Sequence, residues 1–115
     1  MGGKFRKEPE EEYLTEINAD YVIVKHPKKR YEQIAWAEIE RITLVNTDEG
    51  PFLPDIWLVL SGGGKQCAIP HGSNGYNEVF KVVSDYEGFN FERVIESMGC
   101  TDNATFVLWE RGEQH

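Results

Sequence analysis

Asp55-Ile56-Trp57-Leu58-Val59-Leu60, then Ser61-Gly62-Gly63-Gly64-Lys65, then Gln66-Cys67-Ala68-Ile69-Pro70: the order of these three stretches decides the fold. The first is an apolar run of strand length bounded by turn residues, which predicts a strand covered on both faces. The glycines that follow accept positive φ at little steric cost, so the chain can reverse and return as an antiparallel partner. Pro70 has no N–H to give to a ladder, so it closes that strand or lies at an edge. Beyond it the hydrophobic period lengthens from two to about 3.6 residues. Tyr76, Val79, Phe80 and Val83 stand at i, i+3, i+4 and i+7 on one face of a predicted helix. Ser73 or Asn74 can cap its start, Glu78 suits its first turn, and Gly88 can end it.

Upstream, Tyr21-Val22-Ile23-Val24-Lys25 and Tyr31-Glu32-Gln33-Ile34-Ala35-Trp36 are rich in β-branched and aromatic residues and predict a hairpin around the polar turn His26–Arg30. Glu38–Asn46 opens with helical spacing at Ile39 and Ile42, but Ile42, Leu44 and Asn46 share a strand face, and a strand is favoured. Thr47–Pro54, with two prolines and a glycine, is a loop. Downstream, Phe91, Val94, Ile95 and Met98 line one face of a second short helix, capped by Asn90 and stopped by Gly99. Ala104–Trp109 reads as a last strand. Strands followed by two helices and one further strand predict a single α+β domain: a bent antiparallel sheet covered by the two helices. That arrangement would bury Trp36, Trp57, Phe80 and Phe91, with Trp109 a further core tryptophan. The domain spans residues 13–111, after a charged lead-in at 1–12 and before a polar tail at 112–115.

Ile34-Ala35-Trp36-Ala37-Glu38-Ile39-Glu40-Arg41-Ile42, with the run at Asp55 and the short strand before Pro70, resembles the W-x-E-I-x-x-I strand pattern of bacterial pleckstrin-homology-like domains. The span from Asn46-Thr47-Asp48-Glu49-Gly50-Pro51 to Phe106-Val107-Leu108-Trp109-Glu110-Arg111 is similar to a family of small uncharacterised bacterial proteins. Together the resemblance covers residues 13 to 111 and brings no catalytic residues with it. It departs from the pleckstrin-homology order, which ends on one helix, because a second helix and a strand follow here.

The 115 residues are 40% hydrophobic and 28% charged, a globular balance, and no apolar run is longer than Ile56–Leu60. That excludes an integral membrane segment of the helical kind. Twenty acidic against twelve basic residues leave a net charge of −8, which disfavours nucleic acid as a partner. The charge is uneven: residues 1–30 hold seven basic and six acidic side chains, residues 31–115 five and fourteen. The basic Met1–Lys7 runs into Glu8-Pro9-Glu10 rather than an apolar segment, so no targeting peptide is legible and the cytoplasm is the expected compartment.

Four groups of residues are candidates for a site. Lys25, Lys28, Lys29 and Arg30 could grip a phosphate or lipid headgroup, as the basic strand loops of pleckstrin-homology domains do; a solvated turn that protects a sheet edge is the commoner use of such a cluster. Asp48, Glu49 and Asp55 offer an acidic loop for a protein partner, without the spacing of a calcium loop. Cys67 and His71 could form a thiol–imidazole pair, although free cysteines are more often buried hydrophobes. Gly62-Gly63-Gly64-Lys65 lacks the Ser or Thr and the helix of a phosphate loop and is a turn.

No cofactor or metal is implied: His26, His71 and His115 have no ligand spacing with each other or with Cys67 and Cys100. The favoured function is therefore a non-enzymatic binding module whose acidic face engages a basic protein. Immunity-type neutralisation of a basic toxin is one version by analogy. Anion binding through residues 25–30 and a thiol-dependent enzyme built on Cys67 are the alternatives.

Overall fold

Two exposed glycines make the reversal between the fifth and sixth strands. Gly63 and Gly64 both take positive φ, 59° and 77°, the pair of conformations a two-residue type I′ hairpin turn requires. Around it the computed structural model, which describes residues 13–26, 31–47, 56–100 and 103–112, places β5 at Ile56–Gly62 and β6 at Lys65–Pro70, paired Leu58 to Ile69 and Leu60 to Cys67. β4 (Arg41–Asn46) lies on the other side of β5, and β7 (Ala104–Glu110) pairs with β4, giving a four-stranded antiparallel sheet in the order β6-β5-β4-β7. A second, three-stranded antiparallel sheet holds β1 (Leu14–Ile17), β2 (Tyr21–Lys25) and β3 (Tyr31–Ala35). The two helices are α1 (Tyr76–Val83) and α2 (Phe91–Met98). The expected α+β order holds. The lead-in at 1–12 and residues 113–115 of the tail lie outside the described residues.

The bend between the sheets falls at Trp36–Glu38, a single 3-10 turn where the sequence extends the strand through Trp36. The Glu38 carboxylate folds back to accept from the Ala35 N–H at 3.0 Å, and the Ile39 N–H donates to the Trp36 carbonyl at 3.3 Å. Of the two spacings at Glu38–Asn46 the strand is the one formed: the helical turn ends at Glu38, Ile39 is already extended, and Ile42 lies in β4. The sheets meet where β3 lies along β6, and there the Glu32 carboxylate accepts the Ala68 N–H at 2.9 Å. β1, short and flanked by polar residues, has no distinct signal in the sequence. It is held by β2 and by the Thr15 N–H, which donates to the Asn74 carbonyl at 2.9 Å.

The core fills the space between the two sheets and α1. Val22, Val24 and Ile34 come from one sheet, and Ile42, Leu44, Leu58, Leu60, Cys67, Ile69 and Leu108 from the other. α1 contributes Tyr76, Val79 and Val83, the face its spacing predicts, with Phe80 half-buried beside them. Removing each such side chain from water is worth roughly 1.5–3 kcal/mol. α1 is not capped by Ser73 or Asn74. Its N-cap is Gly75, at φ 90°, because a side chain there would collide with the Thr15 carbonyl. Ser73 instead turns its hydroxyl to the Pro70 carbonyl at 2.7 Å. The helix ends at Ser84, four residues before Gly88. Trp36, Trp57 and Trp109 are half-buried at the rim, where the indole N–H of Trp36 reaches the Asn18 carbonyl and that of Trp109 the Glu87 carbonyl.

Candidate interaction surface

Among the candidates, Lys25 ends β2 and pairs with Glu16 at 3.4 Å, both side chains about half exposed. Lys28, Lys29, Arg30, Asp48, Glu49 and Asp55 lie outside the described residues. Cys67 is wholly buried, and that burial, with the Glu32 charge adding to it, pushes its thiol up to about 12. His71 sits in the exposed turn after β6 with its ring edge-on to Tyr76 at 4.9 Å. The thiol faces the core and the imidazole faces water, so the structure does not bring them together as nucleophile and base.

A cleft of about 810 Å³ runs between the β5–β6 turn and the end of β7. Its cations are engaged within the fold. Arg41 pairs with Glu110, Lys65 reaches Glu38 at 3.2 Å, and Arg111 donates to the carbonyls of Ala37 and Ile39. Lys65 and the Ala35 N–H also hold the Glu38 carboxyl below its usual range, the backbone bond first. The cleft is a seam that closes the sheet against the 3-10 turn. Among the described residues no three His, Cys, Asp or Glu side chains converge on a point, and no helix is long and apolar enough to cross a membrane.

α2 is placed differently from α1. Its start follows the sequence, since Asn90 accepts the Arg93 N–H at 3.1 Å through its side chain. The Asn90 N–H in turn donates to the Leu108 carbonyl at 2.8 Å, and Leu108 is the extra residue of a bulge where β7 steps against β4 between Ile42 and Thr43. At the other end Ser97 is fully buried. Its hydroxyl donates to Asn46 Oδ1 at 2.6 Å, and Asn46 Nδ2 donates to the carbonyls of Ser97 at 2.9 Å and Cys100 at 3.2 Å. Asn46 lies on the face of β4 that also carries Ile42 and Leu44, so this latch ties α2 to the sheet beside the core.

The latch sets the rotation of the helix. At about 100° per residue, Val94 points about 65° and Ser97 about 125° to one side of the Phe91–Ile95–Met98 ridge. Val94 alone of the apolar stripe packs on the core. Phe91 is 53% exposed, Ile95 71% and Met98 49%, which corrects the expectation that this face, and Phe91 in particular, is buried. Phe91 adjoins buried Phe89 at 4.9 Å between ring centres, and Phe89 adjoins Phe80 at 5.8 Å, so the stripe continues inward as a row of aromatic rings. Glu92 and Glu96 stand exposed along its outer flank, and Arg93 approaches Glu96 at 4.0 Å. Sequence reasoning located the stripe but not its exposure. The one signal was an asparagine ending an otherwise apolar strand face, a polar group that must find a partner once buried.

No family model, no curated protein and no solved structure matches the chain.

Proposed function

We propose that this protein is a non-enzymatic binding module that takes a basic protein partner on the outward face of α2. The observation that carries the reading is the exposed row Phe91, Ile95 and Met98 beside the carboxylates of Glu92 and Glu96. Large apolar side chains left in water beside polar ones favour a partner that covers them, and interface cores are enriched in Phe and Met. The chain's net charge of −8 adds attraction for a basic surface, which chiefly speeds encounter and rejects acidic competitors. The headgroup alternative is weaker, because Lys25 is already paired with Glu16. The thiol alternative is weaker still, because the Cys67 thiol is kept protonated by its surroundings.

Affinity capture from native lysate, with wild type and Ile95→Glu as baits, tests this. We expect a specific protein to be retained by wild type, lost with Ile95→Glu, and held less well at roughly 1 M salt, where charges are screened beyond about 3 Å. Retention of nothing specific, or equal retention by both baits, overturns it.

A further inference from the structure

Resting on the reading of α2 as a docking face, we infer that its occupant is an amphipathic helix of the partner, with apolar residues along its contact edge and Lys or Arg beside them. Phe91, Ile95 and Met98 stand at i, i+4 and i+7, so they form one ridge about 10 Å long, which matches two turns of a facing helix. The α2 face offers side chains, its own backbone groups being used within the helix. The Leu108 carbonyl on the neighbouring β7 edge, which an added strand would use, is taken by the Asn90 N–H, and the bulge beside it breaks the ladder's regular spacing. The anchoring end is Phe91, whose ring packs edge-on against buried Phe89, which in turn meets Phe80. Met98 at the other end is unbranched and can adapt to a partner's shape.

Charge separates a foreign helix from a second copy. In an antiparallel pairing of two α2 helices, the flank carrying Glu92 and Glu96 would face the same flank of its mate. Two chains of net charge −8 would also repel each other. Lys or Arg on the facing helix turns that repulsion into attraction.

The test titrates the isotope-labelled full chain with two synthetic helical peptides of roughly 14 residues and equal leucine pattern, one flanked by lysines and the other by glutamates. The lysine peptide is expected to move the amide signals of residues 91–98, and the glutamate peptide to leave them in place. Ile95→Glu should weaken the lysine peptide by about tenfold or more although it adds a negative charge, because the apolar anchor is lost. An unchanged thermal midpoint shows that this exposed replacement leaves the fold intact. If Ile95→Glu binds the lysine peptide as well as wild type or better, charge alone holds it and the inference is overturned. Signals that move elsewhere, or not at all, also overturn the helix, while the docking reading survives as long as capture still depends on Ile95. A dimer in sedimentation that Ile95→Glu dissolves would assign the face to a second copy instead.

Discussion

Gly62 shows how closely a single residue is specified. It sits in β5, and a Cβ there would overlap the Glu38 carbonyl oxygen and lie 2.8 Å from the Glu40 nitrogen, both backbone atoms with no freedom to move aside. The same crossing carries the Glu40 N–H to the Ser61 carbonyl at 2.8 Å. Gly62→Ala is therefore expected to cost about 2–3 kcal/mol in urea unfolding, at the upper end of ordinary overpacking. Cys67 is specified by burial rather than by contact with backbone. Its thiol, held near 12 by desolvation, should resist iodoacetamide at pH 8 for as long as the protein stays folded. Peptide mass spectrometry checks this, and rapid modification of Cys67 in the native state would revive the thiol-enzyme alternative.

At the scale of elements, the two helices are held by different physics. α1 is fastened by Tyr76, Val79 and Val83 in the core, whereas α2 is fastened by hydrogen bonds between Asn46 and the Ser97–Cys100 turn. A buried polar pair is costly to break on one side only, because the remaining group loses water without gaining a partner. Asn46→Ala should destabilise by about 2–3 kcal/mol and Ser97→Ala by about 1 kcal/mol. The double replacement should cost less than their sum, since both remove one interaction. Hydrogen exchange gives the decisive readout: α2 amides should exchange faster in Asn46→Ala while those of α1 keep their protection. Equal loosening of both helices would show that the latch does not control α2 separately.

For the whole molecule, the titration of buried thiol and phenol groups makes stability fall in alkali. Burial raises Cys67 from 9.0 to about 12 and Tyr76 from 10.0 to about 12, and raises Tyr86 as well. Each is bound to its proton more tightly in the folded chain than in the unfolded one. Its stabilising contribution is complete below the unfolded value and is lost as pH climbs toward the folded value. The thermal midpoint should therefore hold steady on this account up to about pH 9 and fall between there and pH 12. Tyr76→Phe should flatten the part of that fall above pH 10. A curve of unchanged steepness in Tyr76→Phe would show that the tyrosine titrates alike in the folded and unfolded chains.

Much of this was legible in the chain itself. The alternation around Val22–Val24, the continuous apolar run at Ile56–Leu60, the glycine turn and the change of period at Tyr76 are local signals, and local sterics with water's aversion to apolar surface suffice to read them. The break at Trp36–Glu38 and the strand at Leu14–Ile17 were not: the first turns on a local cap by the Glu38 carboxylate inside a stretch that otherwise alternates, and the second depends on β2 and on the Asn74 carbonyl from far along the chain. Tertiary structure alone decided which way α2 faces. Hydrophobic spacing gives a helix its stripe, but its rotation was settled by Asn46, brought beside Ser97 from 51 residues away, where a buried amide and hydroxyl had to satisfy one another.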